Sequence, residues 1–262
     1  MVSPVEDRQN AAMDTPTLLL ACLVFLLAGT VKGVVGLGLP TIAMGLLALG
    51  MPPATAAALL LVPSLVTNVW QIAPFKGLGT LLRRLAPLSI AACVGTVLGG
   101  MLLGAPAGTW ASLALGITLI LYAAWGLAGK QYRIAAPHEG WLGTVVGLTT
   151  GLVTAATGVF VVPAVPYLQA LGLSKNALIQ AMGISFTVST LALAAMLGGT
   201  GSLTASTTGL SLLMLLPALF GVELGKRLRH HMSPGTFRLC FLLGLAALGS
   251  YMLLQAICHA IG

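Results

Sequence analysis

Lys32 stands in an otherwise apolar run, LLAGTVKGVVGLGLP at 26–40, beside three glycines: Gly33, Gly36 and Gly38. A helix broken at such glycines exposes backbone N–H groups, and those groups attract anions. A lysine at the break adds a full positive charge, and an ionisable residue at membrane depth points to function. The competing reading is that Lys32 snorkels to the headgroups. Sequence alone leaves both open. Further along, Asn68 and Gln71 flank Trp70, and a later apolar run carries Gln180, Ser185, Thr187, Ser189 and Thr190. Neutral hydrogen-bonding groups on facing helices can replace the hydration shell of a small oxyanion. They also serve as polar glue between helices, at about 0.6 kcal/mol each. Glu223 is followed by Lys226 and Arg227 at i+3 and i+4. That spacing gives an ordinary helix ion pair, which is preferred over a proton-coupling carboxylate.

Other chemistries find no residues. There is no H-E-x-x-H, no G-x-S-x-G and no pair of acids within an apolar run, so no catalytic set or metal site is expected. Gly33, Gly36 and Gly38 resemble a dinucleotide loop read backwards, but no strand precedes them and no acid follows at the needed distance. Nothing in the chain calls for a cofactor. Cys22, Cys93, Cys240 and Cys258 show no C-x-x-C spacing and read as small buried hydrophobes. His138, His230, His231 and His259 lie in loops or at segment ends.

The elements that must position Lys32 follow from composition. Of 262 residues 58% are hydrophobic and 6% charged, with a mean hydropathy of +1.03. A soluble domain carries about a quarter charged residues, so the apolar surplus faces lipid, the first partner. The chain is expected to be an all-α, polytopic integral membrane protein. Apolar segments fall at 17–31, 37–50, 54–74, 82–103, 109–128, 140–154, 158–172, 176–197, 206–225 and 236–261. Six are long enough to cross a hydrocarbon core about 30 Å thick. The segments 17–31, 37–50, 140–154 and 158–172 are expected to be short, glycine-broken helices. The N-terminus lacks a basic n-region and a cleavage site, so the first run is expected to stay as a span.

The short pairs are two copies of one sequence. Residues 29–50 align without a gap on residues 151–172, with Gly29/Gly151, Gly36/Gly158, Leu46/Leu168 and Gly50/Gly172 identical. Lys32 falls opposite Thr154, and Gly38 opposite Phe160. Gly95-x-x-x-Gly99 answers Gly221-x-x-x-Gly225, and these pairs are read as close helix packing within one chain. The parts are an N-terminal extramembrane segment 1–16, a first repeat 17–128, a linker 129–139 and a second repeat 140–262. With loops assigned to alternate sides, Lys32, Lys76, Arg83, Arg84, Lys130, Arg133, Lys175, Lys226, Arg227, Arg229 and Arg238 share one side, and of the 12 basic residues only Arg8 lies opposite. By the positive-inside rule that side is cytoplasmic. The basic residues form no stripe interleaved with aromatics, so nucleic acid is not expected. Five segments per half is an odd number, so the duplication is read as an inverted repeat. Charge counting does not separate two arrangements of each short pair: two crossings, or a re-entrant hairpin with both glycine tips meeting near the midplane.

The run Ala28 to Gly38, with Met51-Pro52-Pro53 and Asn68, resembles the opening motif of the sulfite exporter TauE/SafE family of membrane transporters. ATGVFVVPAVPYLQALGL at 156–173, followed by Gln180-Ala181-Met182-Gly183, looks like that family's second motif. The resemblance implies a bacterial inner-membrane protein that moves small sulfur-containing anions such as sulfite or organosulfonates. It carries Lys32, Gly33, Gly36, Gly38, Asn68, Gly158, Pro163, Gly172 and Gln180 as motif positions. Many members keep a Gly-Gly run where this chain has Gly158-Val159-Phe160.

The expected function is a secondary transporter of a small anion working by alternating access, without ATP since no P-loop is present. The expected substrate site is Lys32, Gly33, Gly36, Gly38, Asn68, Thr154, Thr157, Gly158, Gln180 and Ser185, with Glu223 as coupling candidate. The alternatives are an intramembrane enzyme or a non-transporting membrane scaffold. The oligomeric state is not legible.

Overall fold

The computed structural model describes residues 14–73, 77–129, 132–229, 231 and 233–261. Most of the expected N-terminal segment lies outside the described residues, as do Arg8, Lys76 and Lys130 of the charge count and His230. Ten α-helices follow one another among the described residues: α1 Thr15–Val35, α2 Leu39–Leu47, α3 Pro53–Ile72, α4 Leu78–Leu103, α5 Gly108–Ala128, α6 Glu139–Thr157, α7 Ala164–Ala170, α8 Lys175–Gly199, α9 Ala205–Leu228 and α10 Pro234–Ile261. A 3₁₀ turn at Ala136–His138 leads into α6.

Eight of these helices are long and apolar enough to cross a membrane. Their outward faces carry large apolar side chains such as Leu23, Met101, Leu102, Leu216 and Phe220. Such a surface needs lipid rather than water against it. The chain is a multi-pass membrane protein. Cys240 and Cys258 lie on this exposed surface and Cys22 and Cys93 are only partly buried, so the expectation that all four are buried is corrected.

The expected segment lengths also need correction. Segments 17–31 and 140–154 are not short: α1 has 21 residues and α6 has 19, or 22 with its 3₁₀ lead-in. Both run through polar and glycine positions that a hydropathy window discounts, and each stops at a glycine in the left-handed region. Gly36 has φ 85° and donates its N–H to the Lys32 carbonyl. Gly158 has φ 71° and donates to the Thr154 carbonyl. Only glycine holds such a conformation without strain, so it ends both helices. The short helices are the second members of each pair, α2 with 9 residues and α7 with 7.

Contacts fix how these helices run. The Gln71 Nε2 donates to the Gly36 carbonyl at 3.0 Å, which puts the end of α1 level with the end of α3. The segment 37–52 therefore returns the whole length of α3. In the second half Arg84 binds Glu139, at the start of α6, and also the Leu171 carbonyl beyond the end of α7. So 158–171 returns the length of α6. Gly158 sits against Met44 and Ala57, near the start of α3. Gly36 and Gly158 thus lie at opposite ends of α3, about 20 Å apart at 1.5 Å per residue. The two tips do not meet, and the re-entrant arrangement is not adopted.

The tightest packing exchanges helices between the halves. α1 packs on α9, and α6 on α4. At these seams glycine lets backbones touch. A methyl group at Gly29 would strike the Ala218 carbonyl, and one at Gly221 the Leu26 carbonyl. Gly33 and Gly225 face each other in the same seam. Gly95, Gly147 and Gly151 do the same between α4 and α6. The G-x-x-x-G pairs therefore pack helices within one chain, as the sequence predicts. α3 lies across α8, and α5 across α10, each pair antiparallel.

Alanine in place of glycine normally favours a helix by about 1 kcal/mol. At Gly221 the new methyl group meets backbone, and overpacking costs about 1–3 kcal/mol. Gly209 of the same helix has open space around it. Gly221→Ala is expected to lower the unfolding temperature in detergent, and Gly209→Ala to leave it unchanged or raise it.

Candidate functional site

The buried ammonium group of Lys32 organises the site. Lys32 lies one turn before the end of α1 and is 6% exposed. It does not snorkel outward. Its Nζ donates to Thr67 Oγ1 at 3.0 Å and to Asn68 Oδ1, both on α3. Among the described residues it makes no ion pair. Two of its three N–H donors are thereby directed at neutral oxygens.

From Asn68 the polar contacts continue inward. Asn68 Nδ2 donates to Ser64 Oγ at 3.1 Å, one turn earlier on α3. Ser64 Oγ lies 3.2 Å from Thr190 Oγ1 of α8. Thr190 in turn donates to the Phe186 carbonyl at 2.7 Å. Ser64, Thr67, Asn68 and Thr190 are all buried. Their spacing on α3 explains the alignment: Ser64, Thr67, Asn68 and Gln71 fall at i, i+3, i+4 and i+7, one stripe of one helix. A polar line therefore leads from Lys32, near the end of the bundle, to Thr190 near the middle of α8. The buried oxygens Gln71 Oε1 and Ser189 Oγ have no protein partner among the described residues. Unpaired buried groups of this kind are costly, by about 1–3 kcal/mol each.

The helix that carries this stripe is opened at its centre. Pro63 has no N–H, so the Leu59 carbonyl loses its helical partner. Ser211 of α9 fills the gap: its Oγ donates to the Leu59 carbonyl at 2.9 Å and accepts from the Val62 N–H at 3.1 Å. α9 thus anchors α3 at its weakest turn.

The remaining expected site residues divide between two places. Gly36 and Gln180 both meet the end of α3, Gly36 through Gln71 and Gln180 through its Nε2, which donates to the Ile72 carbonyl at 2.9 Å. Ser185 is buried on the same helix as Gln180. Gly33 is a packing glycine against α9, and Gly38 touches Phe241 and Val31. Thr154, Thr157 and Gly158 surround the other break, where Thr157 Oγ1 accepts from the Val159 N–H at 3.1 Å. Phe160, opposite Gly38 in the repeat, is fully buried against Phe186, with ring centroids 5.4 Å apart. Glu223 pairs with Lys226 at 3.6 Å and Arg227 at 3.5 Å, the ion pair its spacing predicts. Sequence reasoning missed Ser64, Thr67 and Ser211. The i, i+3, i+4 stripe offered a signal for the first two; nothing marked Ser211.

A family model described as sulfite exporter TauE/SafE matches residues 21–252. The chain belongs to this family. The match takes in both glycine breaks, Lys32 and the polar stripe of α3, so the TauE/SafE assignment covers the whole bundle rather than one motif. The family is a transporter family. Comparison with curated proteins and with solved structures returns no match.

Removing a hydrogen-bond partner from a buried charge costs about 1.5–3 kcal/mol, whereas replacing both groups with apolar ones can be nearly neutral. Asn68→Leu alone is expected to destabilise the protein by roughly that amount. Adding Lys32→Met to Asn68→Leu should restore much of the loss. A double-mutant cycle of unfolding in detergent measures the coupling.

Proposed function

We propose that this TauE/SafE protein is a secondary transporter of small anions, sulfite or an organosulfonate among them, in which Lys32 and the α3 stripe handle the substrate. The single observation that carries this reading is a buried lysine that pairs with no carboxylate among the described residues and faces neutral oxygens that lead to mid-bundle. A lysine ammonium in a low-dielectric interior attracts an anion strongly. Thr67, Asn68, Ser64 and Thr190 supply the polar groups that replace water around it. The anion's charge in turn compensates Lys32.

The proposed architecture is an inverted repeat, 17–128 and 140–262 joined by 129–139, in a bacterial inner membrane with the charge-rich end cytoplasmic. The antiparallel run of α3 against α8 and of α5 against α10 supports it, as do the matched left-handed glycine caps. Alternating access then takes a form that sequence halves do not suggest. Glycine seams tie α1 to α9 and α4 to α6, α9 also grips α3, and α4 packs on α8. The moving bodies are α1–α3 with α9, against α4 with α6–α8. Their seam is the α3–α8 contact, where Ser64 meets Thr190.

Two measurements in proteoliposomes test this. Lys32→Met should lower sulfite or organosulfonate uptake at least about tenfold, the equivalent of 1.4 kcal/mol; unchanged flux sinks the assignment. A Ser64→Cys/Thr190→Cys protein lacking the four native cysteines should stop transporting when oxidised and recover when reduced. Undiminished flux in a fully cross-linked sample would rule out motion at this seam. Running each assay with and without a proton gradient identifies the coupling.

A further inference from the structure

A cavity of about 570 Å³, which Lys32 does not line, opens at the charge-rich end between the end of α5, the segment before α6 and the end of α7. Arg133 and Arg238 both line it, with Gln169, Trp125 and Tyr132. Arg133 lies against Gly172 in the turn after α7. Arg238, near the start of α10, reaches back to the Gly126 carbonyl at 3.3 Å. Trp125 and Tyr132 stack with centroids 5.6 Å apart, which ties the two arginine-bearing regions together.

The charge balance of this cavity is one-sided. Among the described residues the acids are Asp14, Glu139 and Glu223. Asp14 precedes α1 at the other end of the bundle. Glu139 is held by Arg84 at 2.6 Å, and Glu223 is shared by Lys226 and Arg227. None of these described acids lines the cavity. Two guanidinium groups therefore face one space with no counter-ion from the described protein. The cavity adjoins a cleft of about 20 Å³ that shares Trp125, Gln169 and Arg238 with it and ends at Val35 and Leu37, on either side of the Gly36 break. Such a cleft has room for about one water molecule.

We propose that Arg133 and Arg238 form an oxyanion-binding vestibule, separate from the Lys32 cluster and placed at the mouth of the first glycine break. Guanidinium groups bind sulfonate, sulfite or phosphate oxygens through paired N–H donors. The oxyanion comes from a free solute or from a lipid headgroup at the membrane edge; both present the same chemistry. The site does not depend on the transport reading, since it is measured by binding alone.

The test uses full-length protein with Trp70, Trp110 and Trp141 replaced by Phe, so that Trp125 alone reports. In neutral, lipid-free detergent, methanesulfonate is titrated against its fluorescence. A saturable change identifies a free-anion site. A change seen only in nanodiscs containing phosphatidylglycerol, and not in pure phosphatidylcholine, identifies a headgroup site. In either case Arg133→Gln/Arg238→Gln should weaken binding at least about tenfold, Arg133→Lys/Arg238→Lys should retain part of it, and Arg83→Gln, at an exposed arginine that does not line the cavity, should leave it unchanged. Both arginines are exposed, so these variants are expected to fold. No saturable change with either probe, or equal affinity in the double Gln variant, overturns the proposal.

Discussion

Backbone contact through glycine sets the geometry on which everything else depends. Where α1 meets α9, and α4 meets α6, a single methyl group would collide with a main-chain carbonyl. Inside lipid there is no hydrophobic drive to hold helices together, so close van der Waals contact takes its place. The contact gains most when no side chain separates the helices. Gly29, Gly33, Gly221 and Gly225 lie on one seam, and Gly95, Gly147 and Gly151 on the other. These seams join a helix of one half to a helix of the other. Helices from the two halves of the chain are therefore interleaved, and Ser64 of the polar stripe of α3 meets Thr190 of α8.

That arrangement holds Lys32 where a lone helix would not. A lysine one turn from a helix end would ordinarily extend to the headgroups. Here α9 closes one side of α1, and the ammonium group is left with Thr67 and Asn68 of α3. Burying a charge without an opposite charge is expensive, and Thr67 and Asn68 supply the polar contacts that offset part of the cost. The broken turn at Pro63, repaired by Ser211, has the same character. A helix interior gives up its own hydrogen bond, and a neighbour supplies the replacement.

Several features were legible in residue order because they are local. Gly36 and Gly158 end their helices because a left-handed turn needs no partner elsewhere in the chain. The ion pair of Glu223 follows from i+3 and i+4 spacing alone. The apolar content is a sum over residues and indicates lipid whatever the fold. α1 and α6 are longer than their apolar runs for a related reason. A hydropathy window scores a buried lysine, threonine or glycine as a break, while the helix continues through it. Cys240 and Cys258 lie on the outer surface because an apolar residue in a membrane protein is as stable against lipid as inside the bundle.

What the sequence determined by itself is thus the set of parts: a membrane bundle, two matched breaks, packing glycines, one lysine in an apolar run, and membership of a family through motifs spread over the chain. Tertiary structure alone decided which parts meet. It put the two breaks at opposite ends of α3, turned Lys32 inward, and brought Ser64 of one half to Thr190 of the other. It also gathered Arg133 and Arg238, far apart in the chain, around a single cavity. The physical reason is that helix caps and periodicity are settled by bonds within about four residues. The partner of a buried charge is settled by packing between helices that are far apart in sequence.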